Sequence, residues 1–500
     1  MAKLLYNGKG IETETGRTVL EILRENGAGP EAPCGGRGRC GKCRVRTDGA
    51  FSPVTESEAA LLTPEDLSAG IRLACCCRVE GDGTVECMGE KASQIVTGFD
   101  ESQFKTEHSW GSGVGMAADI GTTTVAVYCY DLETGKCLSA ASEMNRQREF
   151  GADVISRIEA CGKAPDALCR QQALIAEQLN RLMGEYAGRA RAAVIAGNTT
   201  MLHLLAGLDP SGMAQSPFIP QSLFGVECSG EQLGLRVNGP VYLSPCVSAY
   251  VGGDITAGMT ACGLDRPGPP RLYVDVGTNG EMALAANGTI WCCSAAAGPA
   301  FEGAHIRCGC GSTPGAVSRV WLEPDGSLGF ATIGGGKPRG ICGSGLIDLT
   351  AALLAGGRMD ETGRLETAEI PLADGVFLTQ QDVREMQLAK AAIAAGIDTL
   401  LHDSGVSLSQ VEEAYIAGGF GAHIHPGPAA EIGLLPAPLL GRFKTVGNGA
   451  GLGACGALLS DSLRERLERV SDSCRYMELS GNAFFNDAFI NRMCFKPVEE

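Results

Sequence analysis

Four cysteines carry the first recognisable chemistry. Cys34, Cys40 and Cys43 lie in the run APCGGRGRCGKC, and Cys75 opens the triplet of LACCC some thirty residues later. Three thiolates from one glycine-rich loop and a fourth from a distant segment form a donor set for a 2Fe–2S cluster. A structural zinc site and unrelated thiols are the alternatives. Zinc usually takes two short Cys-x2–4-Cys knuckles, and only Cys40-x2-Cys43 is of that kind here. Gly35, Gly36, Gly38 and Gly41 let the backbone curl around the cluster and aim N–H groups at its sulfurs, which tunes its potential. Arg37, Arg39, Lys42, Arg44 and Arg46 would stabilise an anionic cluster, dock an acidic electron partner, or form a solvated charged face. Ile71–Val79 reads as a closing strand, on which Cys75 and Cys77 face one way and Cys76 the other.

The second chemistry occurs twice. MAADIGTTTVAVYCYDLETGKC begins at Met116 and RLYVDVGTNGEMALAANGTIWC at Arg271. Each reads as an apolar strand, an Asp-x-Gly-Thr turn, a second strand, a glycine-containing turn and a third strand. Asp119 and Asp275 end the first strands, where a carboxylate can hold a divalent metal through water. Gly121, Thr122 and Thr123 in one turn, and Gly277, Thr278 and Asn279 in the other, offer N–H and hydroxyl groups to phosphates. Two such meanders indicate a duplicated body with a cleft between its halves. Asp119 and Asp275 as turn residues without a ligand are the plain alternative.

The elements that must position these residues are partly visible. The turn NGKG joins two short strands, and Thr18 with Glu21 and Thr55 with Glu58 form capping boxes that open helices. Residues 93–115 are polar, rich in glycine and serine towards their end, and predict a tether. Thr379 with Asp382 opens a helix to about Leu401. AVIAGNTTMLHLL, with Asn198, and the Gly252-Gly253-Asp254 turn read as strand-to-helix connections whose helix N-termini suit anions. Asn198 and Asp254 are candidate partner or nucleotide contacts.

A net charge of −17 argues against nucleic-acid binding. Twenty-two cysteines in so long a chain, with no apolar run of signal-peptide length at the N-terminus, predict free thiols in a reducing cytoplasm rather than a disulfide scaffold. No run approaches the ~18 apolar residues of a membrane span, so no membrane partner is expected.

Residues 1–92 resemble the β-grasp ferredoxins, with the adrenodoxin-like Cys-x5-Cys-x2-Cys spacing, and the LAC context favours Cys75 as fourth ligand. The remainder resembles the acetate kinase, sugar kinase, Hsp70 and actin superfamily. That likeness implies an α+β and α/β chain in which a ferredoxin domain (1–92) and a linker (93–115) precede two ribonuclease-H-like halves, 116–266 and 267–500, closing on Mg2+ and ATP. It further implies an adenosine-side turn in AYIAGGFG, at Gly418 and Gly419, and a second connecting helix in TVGNGAGLGACGALL.

Together with EFGADVISRI, TQQDVREMQLAKAAIAAGID and MELSGNAFFNDAF, the whole chain resembles the RACo family, the reductive activators of corrinoid proteins. The resemblance implies an ATP-hydrolysing activase. A 2Fe–2S cluster on Cys34, Cys40, Cys43 and Cys75, recharged by a low-potential donor, would return one electron to the Co(II) state of a corrinoid protein in a methyltransferase system. Homodimerisation stays open. Alternatives are an ATP-dependent electron activator of a non-corrinoid enzyme, a redox-gated nucleotide-binding protein, and a metabolite kinase. Cys292, Cys293, Cys308 and Cys310 are read as inert thiols with a second metal centre as alternative. His203, His305, His423 and His425 form no clear ligand set.

Overall fold

The computed structural model describes residues 2–6, 9–26, 30, 36, 38, 41, 43–87, 106–107, 110–419 and 421–497. Cys34 and Cys40 lie outside the described residues, as do Gly27, Gly35, Arg37, Arg39, Lys42 and residues 93–105 of the expected tether. The chain divides into two compact units, Met1–Lys91 with Arg146–Pro165, and Ala92–Asn145 with Asp166–Glu500.

In the first unit, β1 (Ala2–Tyr6) and β2 (Lys9–Thr13) form the expected hairpin, followed by α1 (Val19–Glu25), β3 (Arg44–Phe51), α2 (Glu56–Leu61), α3 (Pro64–Ser68), β4 (Ile71–Leu73) and β5 (Val79–Cys87). The sheet order is β2-β1-β5-β3-β4, with β1 parallel to β5, the β-grasp arrangement. Both capping boxes are present, Thr18 with Glu21 and Thr55 with Glu58. They set α1 so that Val19, Leu20, Ile22 and Leu23 enter a core with Leu4, Val45, Leu73 and Val85. Buried Arg72 donates to Glu58 through Nε (2.8 Å) and Nη2 (2.9 Å), and the Leu73 N–H also donates to Glu58 (3.1 Å). This fixes β4 against α2 immediately before the cysteine triplet.

The expected single strand Ile71–Val79 does not form. After Leu73 the backbone turns: Ala74 N donates to Cys43 O (2.8 Å), Ala74 O accepts from Leu20 N (2.9 Å), and Cys76 and Cys77 N–H both return to Leu73 O. Tertiary hydrogen bonds to α1 and to the cysteine loop outweigh the apolar strand pattern. Strand alternation therefore does not govern Cys75 to Cys77.

The second unit contains two sheets of one design. β6 (Val114–Ile120), β7 (Thr124–Asp131) and β8 (Cys137–Met144) make an antiparallel meander. Helix α4 (Val154–Lys163) belongs to the first unit, and α5 (Ala167–Leu182) returns to the second. Then come β9 (Ala190–Gly197), α6 (Thr199–Ala206), β10 (Val226–Ser229), β11 (Pro240–Leu243) and α7 (Gly253–Ala261). The order is β10-β11-β9-β6-β7-β8, with β9 parallel to β6 and β11 parallel to β9.

The second sheet repeats this. β12 (Arg271–Val276), β13 (Gly280–Ala286) and β14 (Thr289–Ala295) form its meander. A small sheet of β15 (Ala316–Leu322), β16 (Leu328–Thr332) and β17 (Gly340–Ile341), then α8 (Gly343–Ala355) and the hairpin β18 (Glu369–Ala373) and β19 (Val376–Thr379), intervene. Helix α9 (Gln380–Ser404) starts at the expected Thr379–Asp382 box. β20 (Glu413–Ala417), α10 (Pro426–Glu431), β21 (Phe443–Gly447), α11 (Gly449–Leu459), α12 (Asp461–Ser473), β22 (Cys474–Tyr476) and α13 (Ala483–Asn491) complete the chain. The order β21-β20-β12-β13-β14-β22, with β20 parallel to β12 and β21 to β20, is the same ribonuclease-H-like plan.

Helix α11 follows the second half in sequence but packs with its alanines and Leu458 on Ala117, Tyr128 and Val194 of the first sheet. It also crosses α7 closely, since a β-carbon on Gly453 would run into the Ala257 carbonyl. The last residues of the expected tether are attached to this unit. Glu107 accepts from Ser460 and Ser462, and the Arg464 guanidinium lies 4.2 Å above the Trp110 ring.

Candidate functional site

In the first unit, the turn after β4 and the start of β3 bring Cys43 and Cys75 together, with Sγ atoms 3.3 Å apart. Gly38 N–H donates to Cys75 Sγ, as a loop that solvates cluster sulfurs must. The shared hydrogen bond with Cys43, followed by burial, pushes the Cys75 thiol far up, so a cation is needed to hold it as thiolate. Cys76 Sγ stands 3.6 Å from Cys75, while Cys77 is fully buried in the core. Two paired thiols, one already hydrogen-bonded by loop backbone, fit a pair of ligands to a 2Fe–2S cluster.

In the second unit, both Asp-x-Gly-Thr turns sit at the carboxyl ends of the central parallel strands, where open α/β sheets bind ligands. Each turn closes on itself: Gly121 N donates to Thr124 O (2.9 Å), and Gly277 N donates to Asn279 O (3.0 Å). The first is braced by Asn145, whose Nδ2 donates to Gly121 O (2.8 Å). The loop after the neighbouring parallel strand meets each turn. Asn198, following β9, donates to Thr122 Oγ1 (2.9 Å) and caps α6 through Met201 N. Gly418, following β20, lies against Asp275, and a β-carbon there would be 2.7 Å from Oδ1. Gly419 faces open space.

The two turns share one crevice. Burial first, then the charges of Asp254 and Asp275, push the Asp119 carboxyl up to about 8, with a hydrogen bond from Asn448 opposing. Burial and Asp254 push Asp275 up to about 7, and burial pushes Asp254 up to about 6 against the Ile255 N–H. Buried Glu281 is raised well above the carboxylate range by burial, Asp254 and Asp275. The charges that raise Asp119, Asp275 and Glu281 come from neighbouring carboxylates, Asp254 and Asp275. Among the described residues no three His, Cys, Asp or Glu side chains converge as direct metal ligands. Such a crevice suits a hydrated divalent cation held through its waters, the habit of Mg2+.

The sequence reading brought out Asp119, Asp275, Thr122, Thr123, Thr278 and Gly418, and raised Asn198 and Asp254; the structure gathers all of them here. It missed Glu302, which accepts from Thr123 Oγ1 (2.9 Å) and Thr278 Oγ1 (2.8 Å). It also missed Asn448, which caps α11 and donates to Tyr128 OH (3.3 Å), although an Asn before a glycine-rich helix is an N-cap signal. Glu281, an acid inside an apolar strand, was a further available signal. His203 is structural: wholly buried, with Nδ1 2.7 Å from Thr199 O and Nε2 accepting from Gln221 and Ser222 N–H. Cys292 and Cys293 are buried in the second half.

Comparison with known proteins fits this geometry. A model of the 2Fe–2S iron–sulfur cluster binding domain matches residues 4–80, one of the RACo middle region matches 114–267, and one of the C-terminal ASKHA domain of RACo matches 270–500. The corrinoid activation enzyme RamQ of Eubacterium limosum is 34% identical over 418 residues, 76% of this chain and 70% of RamQ. The chain belongs to the RACo family. A second relative, the [Co(II) methylated amine-specific corrinoid protein] reductase of Methanosarcina barkeri, is 27% identical over 365 residues, covering 64% of this chain and 66% of the reductase. A solved structure titled reductive activator for corrinoid, iron–sulfur protein superposes with a TM-score of 0.72 at 29% identity, covering 99% of each chain. RACo-family architecture thus extends over the whole chain, from the ferredoxin-like module to the duplicated body. Among the described residues, no helix is long and apolar enough to cross a membrane.

Proposed function

We propose that this chain reactivates a corrinoid protein by returning one electron to its Co(II) state at the expense of ATP, restoring Co(I) for methyl transfer. The observation that carries this reading is a cluster-binding module joined to an acidic two-turn crevice in a chain of RACo-family architecture.

Cys34, Cys40, Cys43 and Cys75 hold the 2Fe–2S cluster, which when bound supplies one-electron transfer. Gly38 N–H donates to a ligand sulfur and favours the reduced, more negative state. Asp119 and Asp275 hold Mg2+ through its waters and orient the attacking water, with Asp254 completing the acidic wall. Thr122, Thr123, Thr278 and Asn279 bind phosphates, Gly121 and Gly277 shape the two turns through the N–H bonds that close them, and Gly418 and Gly419 form the adenosine side. Asn448 and Tyr273 position Asp119 and Asp275 by hydrogen bonds, the Tyr273 hydroxyl lying 3.3 Å from Asp275 Oδ2.

Each ~59 mV by which Co(II) reduction is uphill costs about a factor of ten in the electron equilibrium. Nucleotide binding offsets that only if the nucleotide states differ in affinity for the oxidised partner. A low-potential donor in the cytoplasm recharges the cluster.

The test is anaerobic. Cluster-loaded protein, a reductant, Mg-ATP and a Co(II) corrinoid protein are mixed and the Co(I) absorbance is followed. ATP-dependent appearance of Co(I) is expected, and its absence with every corrinoid partner tried would falsify the proposal.

A further inference from the structure

The carboxylate of Glu302 joins the two Asp-x-Gly-Thr turns. Its Oε2 accepts from Thr123 Oγ1 at 2.9 Å, and its Oε1 accepts from Thr278 Oγ1 at 2.8 Å. Glu302 ends a short turn, Pro299–Glu302, whose Phe301 is anchored in the core of the second half. The side chain therefore projects from one half and reaches the turn of the other. A threonine hydroxyl has a single proton to donate. Thr123 and Thr278 each donate it to Glu302, so neither hydroxyl can serve a phosphate until that bond is released. Carboxylate and phosphate are both anions and compete for the same two donors.

We propose that Glu302 is a latch that straps the two turns together and must be displaced by the phosphates of an incoming nucleotide. This rests on reading the two turns as phosphate loops. Glu302 is a positioning residue: it sets how much binding energy the phosphate chain must supply before both turns engage it. Its removal makes phosphate binding easier, opposite to the effect expected of a phosphate ligand.

The experiment is calorimetric titration of the intact, cluster-loaded protein with the Mg2+ complex of β,γ-imido-ATP and, separately, with AMP. Glu302→Gln removes the charge and leaves one oxygen to accept, so one hydroxyl is released. Imido-ATP should bind this variant about tenfold more tightly, the equivalent of one hydrogen bond to a charged group, while AMP should change by less than about twofold. A residue that merely holds the fold would shift both nucleotides alike. Glu302→Asp keeps the charge on a side chain one methylene shorter and should reach only one hydroxyl, giving an intermediate gain; it carries the test if the Gln variant fails to fold. Wild-type protein that binds imido-ATP while the variants bind it equally or more weakly overturns the latch alone. Wild-type protein that binds no Mg-nucleotide overturns the latch and the phosphate-loop reading together.

Discussion

Gly418 and Asp275 touch with no room for a side chain between them: a β-carbon on Gly418 would stand 2.7 Å from Asp275 Oδ1 and 2.6 Å from Val276 O. Gly418 also has a φ of +98°, which costs any L-residue with a side chain. Gly418→Ala should therefore displace the Asp275 carboxylate and weaken Mg-ATP binding by roughly tenfold or more, at a stability cost of about 1–3 kcal/mol. The 2Fe–2S absorbance should stay unchanged. Nucleotide titration and visible spectra of one sample measure both; an intact nucleotide affinity would show that Gly418 does not shape the site.

The cysteine triplet separates by position. Cys75 faces Cys43 at 3.3 Å, whereas Cys77 is sealed in the core. Cys75→Ser should abolish the normal 2Fe–2S EPR signal of the reduced protein, and Cys76→Ser and Cys77→Ser should retain it. Loss of the signal in Cys76→Ser but not in Cys75→Ser would reassign the fourth ligand.

Arg72 and Glu58 form a buried, two-pronged ion pair at the base of the cluster turn. Burial pushes the Glu58 carboxyl up, but Arg72 and the N–H groups of Thr55 and Leu73 outweigh it and hold the carboxyl below its usual range. Arg72→Met leaves that charge buried without its partner and should cost roughly 3–5 kcal/mol. The loss should appear as faster cluster release on mild heating, with nucleotide binding preserved. A cluster as durable as in the wild type would show that this pair does not support the turn.

Much of this organisation could be read locally, and the exceptions have one cause. The capping boxes at Thr18, Thr55 and Thr379 involve residues three apart, so the sequence alone displays them. Each Asp-x-Gly-Thr turn is likewise a short-range motif following an apolar strand. The bend after Leu73 was hidden because LACCC has the apolar pattern of a strand, and only hydrogen bonds to Leu20 and Cys43 bend it. Glu302 was hidden because its threonine partners lie 24 and 179 residues away. Interactions closed by the tertiary fold leave no spacing to recognise.

Lys390 is wholly buried in α9, where its ammonium donates to Cys494 O at 2.6 Å. Burial first, then the charge of Arg492, lowers its pKa from 10.5 to about 7. Between those values the unfolded chain binds a proton that the fold does not, so stability falls as pH drops from about 10.5 towards 7, and the penalty is full below 7. Lys390→Met removes the penalty together with one of the two donors to the Cys494 carbonyl, which still accepts from Lys496 N–H (3.1 Å). It should stabilise the protein by roughly 1–3 kcal/mol near pH 6, with the gain vanishing or reversing near pH 10. Denaturant midpoints at both pH values measure this; equal or lower stability near pH 6 would show that the lysine is not strained by its burial.

The route of the C-terminal segment has a mechanical consequence. The chain leaves the second sheet at Gly447, runs α11 across the first, and rejoins the second through β22 beside β14. One continuous stretch of backbone therefore grips both lobes. Where α11 meets α7 the contact is nearly bare main chain, with Gly453 over the Ala257 carbonyl, so few interlocking side chains resist sliding there. Any shear between the lobes must be absorbed at the two ends of this stretch, near Asn448 and Cys474. The first of these is the residue that hydrogen-bonds Asp119, so mechanical displacement of the lobes is transmitted to a carboxylate of the acidic crevice.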